Sequence, residues 1–106
     1  MTVWGDIDRI TLLKIERQDN GQILELPGRE AWCAAHLIIA GVAGQTSLEH
    51  PAPRWSEYVR KLRSRGLSIE TRNEMHGGTY SGRHGRYVMR TQVRVLVQKY
   101  AERTAA

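Results

Sequence analysis

Hydrophobic and polar residues alternate from Arg9 to Glu16 (RITLLKIE) and from Gln22 to Leu26 (QILEL), which predicts two β-strands. Asp19-Asn-Gly21 between them is a good hairpin turn, because Asn and Gly tolerate positive φ. Pro27-Gly28 ends the hairpin. The period then changes. Arg29 to Ala40 (REAWCAAHLIIA) places Trp32, Ala35, His36 and Ile39 on one face at helical spacing. The segment is apolar almost all round, which predicts a central core helix closed by Gly41 and Gly44. Thr46 and Glu49 have capping-box spacing, so Thr46 to His50 predicts a single helical turn that Pro51 and Pro53 stop from continuing.

Pro53 suits the first turn of the next helix, Arg54 to Arg65, where Trp55, Tyr58, Val59 and Leu62 form an apolar stripe and Gly66 follows the end. Ser68 to Glu74 and Tyr87 to Val97 predict two further strands around a loop holding Gly77, Gly78, Gly82 and Gly85. The last stretch fits two patterns. Val93, Val95 and Val97 alternate like a strand, while Val93, Leu96, Val97 and Tyr100 fit a helix; the favoured reading is strand to about Val97, then a short helix or frayed tail.

The elements follow the order hairpin, helix, turn, helix, strand, glycine-rich loop, strand. That order predicts an α+β fold: one small winged-helix (helix-turn-helix) domain over 1–106 with an additional N-terminal β-hairpin. Its parts are the hairpin at 9–26, a helical part at 29–65, a wing hairpin at 67–97 and a tail at 98–106. At 106 residues the chain fits one hydrophobic core, and 41% hydrophobic with 25% charged residues predicts folding rather than disorder. The first ten residues show no secretory signal, and Ala31 to Ala43 is too short to span a bilayer, so the cytoplasm is the expected location and no membrane partner is implied. One cysteine, Cys33, excludes an internal disulfide.

Charge sharpens the functional picture. Residues 1–53 carry four Arg/Lys against seven Asp/Glu, whereas residues 54–90 carry nine against three. Positive charge gathered on one segment is an electrostatic footprint for a polyanion, and nucleic acid is the simplest such partner. On the 54–65 helix, burial of the apolar stripe leaves Arg54, Ser56, Arg60, Lys61, Arg63 and Ser64 on or near the outer face, with Glu57 the single acid. Arginine can bond guanine bidentately, and Lys and Ser suit phosphates. In the wing, Arg72, His76, Arg83, His84 and Arg86 surround the glycines, which allow close approach to a phosphate or a narrow groove. The plainer readings are a solvated helix face and an ordinary flexible hairpin loop.

Other residues point to packing. His36 and Cys33 read as core residues, and Trp32 and Trp55 as anchors between the two helices. His76 and His84 lack a third ligand at a sensible spacing, so no metal site is expected. Nothing resembles a nucleophile–base pair, a cofactor loop or a small-molecule substrate site; an enzyme is not expected and no cofactor is implied.

The run WSEYVRKLRSRGLSIETRNEMHGGTYSGRHGRYVMRT, residues 55–91, resembles the winged-helix proteins of bacteriophages and prophages. The matching residues are Leu62, Arg63, Gly66, Ile69, Glu70, Thr71, His76, Gly77, Gly78, Gly85, Arg86, Tyr87 and Val88. The resemblance implies the fold of a small DNA-binding protein, in a family often of unassigned role; the leading reading is a phage- or prophage-type transcriptional regulator whose 54–65 helix reads the major groove while the wing at 76–86 holds the backbone. Two features depart from that pattern: the second helix is cut to a turn, and the N-terminal hairpin is an addition that either extends the sheet or forms a homodimer surface. Duplex DNA is the expected partner. The rival reading is a winged-helix module for protein interaction or dimerisation, and a third is binding of RNA or a single strand.

Overall fold

The computed structural model describes residues 2–46, 54–76 and 82–102, with the side chains at 74–76 and 82–84 not described. The chain runs β1 (Ile10–Arg17), β2 (Ile23–Pro27), α1 (Gly28–Ala40), α2 (Trp55–Ser64), β3 (Ile69–His76), β4 (Gly82–Met89) and β5 (Val93–Tyr100). The turn expected at 46–50 lies, beyond Thr46, outside the described residues.

β1 and β2 pair antiparallel through Leu13↔Leu26 and Ile15↔Leu24. The turn forms where the sequence places it: Gly21 has φ +76°, and Asn20 Oδ1 accepts from the Gln22 amide at 2.9 Å. A register irregularity between Ile10 and Leu12 puts Ile10 and Leu13 on the same face despite their odd spacing. Ile10, Leu13, Ile15, Leu24 and Leu26 thus all point at α1 and are buried.

α1 starts one residue earlier than the periodicity predicts and is the hub of the core, with Ala31 through Leu37 buried. His36 packs among aromatic rings, edge-on to Trp32 at 4.6 Å, as expected of a core residue. Cys33 is fully buried, and burial pushes its thiol pKa up to about 12. Among the described residues no helix is long and apolar enough to cross a membrane.

The strand expected over Tyr87 to Val97 is two strands in two sheets. β4 pairs with β3 in the wing, whereas β5 pairs with β1, giving the order β2-β1-β5. The break at 90–92 contains neither Gly nor Pro. It arises because Arg90 N–H donates to Ser68 O, Thr91 Oγ1 accepts from the Ser68 amide, and Gln92 O accepts from the Gln18 amide. The wing therefore spans 69–89 rather than 67–97. β5 also runs as strand to Tyr100, so the short helix or frayed tail expected after Val97 is replaced by three more residues of ladder. Its pairing with β1 shows that the N-terminal hairpin extends a sheet with the C-terminal strand.

Beyond α1 a 3-10 turn, Gly41–Ala43, leads to Gly44, whose φ is +71°. A Cβ there would lie 2.7 Å from Tyr87 O, so only glycine lets the chain run this close to β4. Gln45 and Tyr87 then exchange backbone hydrogen bonds at 2.8 and 2.9 Å, adding a one-residue third strand to the wing sheet.

Candidate nucleic-acid interface

α2 forms because its apolar residues recur at helical spacing, and the fold sorts them cleanly. Trp55, Val59 and Leu62 are buried and Tyr58 is half-buried. Trp55 ties the helix to two neighbours: its ring lies 5.1 Å from Trp32 of α1 and stacks on Tyr87 of β4 at 6.2 Å with 14° between planes. Arg29 lies over Trp32 at 4.3 Å and over Tyr58 at 5.7 Å, a cation–π bridge across the α1–α2 contact.

The opposite side of α2 presents Arg54, Ser56, Arg60, Lys61, Arg63 and Ser64, all exposed. Arg54 stands at the N-cap, one residue before the helix begins. Arg60 is engaged by Glu57 in an i,i+3 pair with contacts of 2.9 and 2.5 Å. That bond, aided by the charges of Lys61 and Arg54, holds Glu57 below the usual carboxylate range and raises Arg60. Ser64 Oγ donates to Lys61 O at 2.6 Å.

Arg63 leaves this group. Its guanidinium donates to Ile69 O from Nε at 3.1 Å and from Nη2 at 2.6 Å, and to Thr71 Oγ1 at 2.7 Å. The residue fastens the C-terminal end of α2 to β3. Arg65, which sequence reasoning left without a role, does the same toward α1 through Glu30 at 2.7 Å, and the pair raises the arginine pKa.

Within the wing, Arg72 and Arg86 face each other across the β3–β4 ladder. Arg72 Nη2 donates to Val42 O at 3.2 Å, and Arg86 Nη1 donates to Ala43 O at 3.0 Å and to Gly44 O at 3.4 Å. Both cations thus meet carbonyls following α1, where positive charge is favoured. Arg90, also without a role in the sequence reading, bonds Glu70 at 2.7 Å. His76, Arg83 and His84 lie in register opposite Gly82, Met75 and Glu74, and their side chains are outside the described residues. Among the described residues no group of three or more His, Cys, Asp or Glu could hold a metal ion.

The residues predicted for one surface therefore divide by task. Arg54, Ser56, Arg60, Lys61 and Ser64 share the exposed side of α2. Arg63, Arg72 and Arg86 are tied to protein acceptors that fix the helix and wing to the core. A periodic pattern finds the first group; nothing in sequence spacing marks an arginine whose acceptor is a backbone carbonyl 6 to 43 residues away.

No curated protein and no solved structure shows significant similarity to the chain. A family model described as a winged helix domain matches residues 23–99, from the start of β2 almost to the end of β5. With well over half of its length matched, and with helices and a hairpin wing in the order that fold requires, the chain belongs to the winged helix domain family.

Proposed function

We propose that this protein binds duplex DNA through the exposed side of α2 and through the wing, as a regulator of the phage or prophage type. Winged-helix domains are typically nucleic-acid-binding modules without catalytic activity. The observation that carries the reading is the sorting of α2: every large apolar residue faces the core, and Arg54, Ser56, Arg60, Lys61 and Ser64 line the solvent side. A helix so presented fits a major groove, with Arg and Lys supplying contacts to bases and phosphates. Arg63, Arg72 and Arg86 support the same reading indirectly, by holding helix and wing in a fixed relation before DNA arrives.

The test is a fluorescence-anisotropy titration of a labelled duplex with the wild type and with Arg60→Ala/Lys61→Ala. The double variant should bind more weakly, and its salt slope should fall by about 0.9 for each phosphate it no longer neutralises. Absence of duplex binding by the wild type even at low salt would sink the reading. A single strand and an RNA hairpin in parallel titrations separate duplex DNA from the other nucleic acids.

A further inference from the structure

β5 closes one side of the N-terminal sheet with no strand paired beyond it among the described residues; the N-terminal segment meets it only through β5 side chains, Gln98 Nε2 donating to Val3 O and Tyr100 Oη accepting from the Gly5 amide. Its eight residues, VRVLVQKY, include neither Pro nor Gly. The backbone bonds flanking it, Gln18 N–H to Gln92 O and Ala101 N–H to Arg9 O, both run to the β1 side. Leu96 and Val97 at its centre are 38% and 36% exposed. Beside the strand lies a hollow of about 550 Å³ that Val3, Ile38, Val93, Val95, Leu96 and Gln98 help to line. An open edge of this length and hydrophobicity is a template for another strand.

The pattern along β5 selects which strand. Its residues run half-buried, exposed, half-buried, exposed, exposed, half-buried, exposed, half-buried, a series that reads the same in both directions. The cause is a bulge: Val95 pairs with Ile15 and Val97 with Lys14, so Leu96 is extra and the pleat changes phase at the midpoint. A regular strand laid along this edge would match inward with inward residues over one half only. A strand with the same phase change at its own midpoint matches throughout.

We propose that β5 is a homodimer seam, on which a second copy of the chain pairs antiparallel about the Leu96–Val97 step. Val93 then faces the partner's Tyr100, Val95 the partner's Gln98, and Leu96 the partner's Val97, each inward or outward residue opposite its like. The two three-stranded sheets become one of six, and the contact is isologous and closed. Arg94 falls opposite the partner's Lys99. Glu16, bonded to Arg94 at 2.6 Å, offsets part of that repulsion, so the dimer is reversible and strengthened by salt. The proposal rests on strand geometry and is independent of DNA binding.

Sedimentation velocity of the full chain without DNA, over a concentration series, tests it. The expected result is a reversible dimer that tightens as salt is added. Lys99→Glu should lower the dissociation constant by about tenfold, because two like-charge cross-strand pairs become opposite-charge pairs, and should reverse the salt effect. Leu96→Lys with Val97→Lys places four ammonium groups at the two-fold axis and should give a monomer with an unchanged far-UV spectrum. Monomers at every concentration for both the wild type and Lys99→Glu would overturn the seam and leave the edge to an extended segment of another protein. A dimer loosened by Lys99→Glu, or one indifferent to the two lysines at the axis, would overturn it too.

Discussion

Glu57 interrupts the positive side of α2, being the single acid among residues 54–65. Its pair with Arg60 lies at the surface, with Arg60 exposed and Glu57 half-buried, and surface ion pairs are weak, so an incoming phosphate can compete for the guanidinium. If α2 meets DNA, Glu57→Gln removes a repelling charge and frees Arg60. The expected gain in duplex affinity is about three- to tenfold at low salt, shrinking as salt rises, read by the same anisotropy titration. The pH dependence has a definite sign. Arg60 lowers the folded-state pKa of Glu57 from its ordinary 4.5, so the pair's stabilisation is present above that value and is lost as pH falls through the lowered one. Urea midpoints recorded on acidification should therefore fall more steeply for the wild type than for Glu57→Gln. Parallel acid limbs would refute the linkage.

At the scale of elements, what the sequence made legible was whatever repeats locally. Both helices follow from apolar residues three and four apart, and the first hairpin follows from alternation around Asp19-Asn-Gly21. The division of the last strand was not legible, because it depends on Ser68 and Gln18, distant in sequence, capturing the backbone and side chain of 90–92. Arg63 is the same lesson in one side chain: read as a groove contact, it is engaged in binding Ile69 O and Thr71 Oγ1. Lysine carries the charge but not the planar fork that meets both acceptors. Arg63→Lys should cost about 1–3 kcal/mol of stability and reduce amide-exchange protection in β3 more than in β1. Unchanged stability with weaker DNA binding would instead make Arg63 a contact residue first.

For the whole molecule, the local excess of positive charge was legible but its use was not. At least six of the nine cations in 54–90 bond to the protein's own acceptors, so the charge that would attract a polyanion under the proposed function also fixes the helix and wing. That double use requires one cooperative core. α1 supplies it, packing on β1 and β2 from one side and on α2 and β4 from the other. Leu62 sits in this core with no exposed surface, and its carbonyl accepts from the Leu67 amide at 3.3 Å in the turn that leads from α2 to the wing. Leu62→Ala should lower stability by about 2–5 kcal/mol, through the apolar burial it removes and the cavity left behind. If the two sheets fold as a unit, the urea transition of that variant in a Trp4→Phe background will shift equally by tryptophan fluorescence, which then senses Trp32 and Trp55 alone, and by far-UV circular dichroism, which includes the outlying β1–β2–β5 sheet. A variant whose fluorescence transition moves ahead of its circular dichroism transition would mean that α2 and the wing can detach from the N-terminal sheet. The arginine fastenings to α1 would then be too weak to hold the wing on their own.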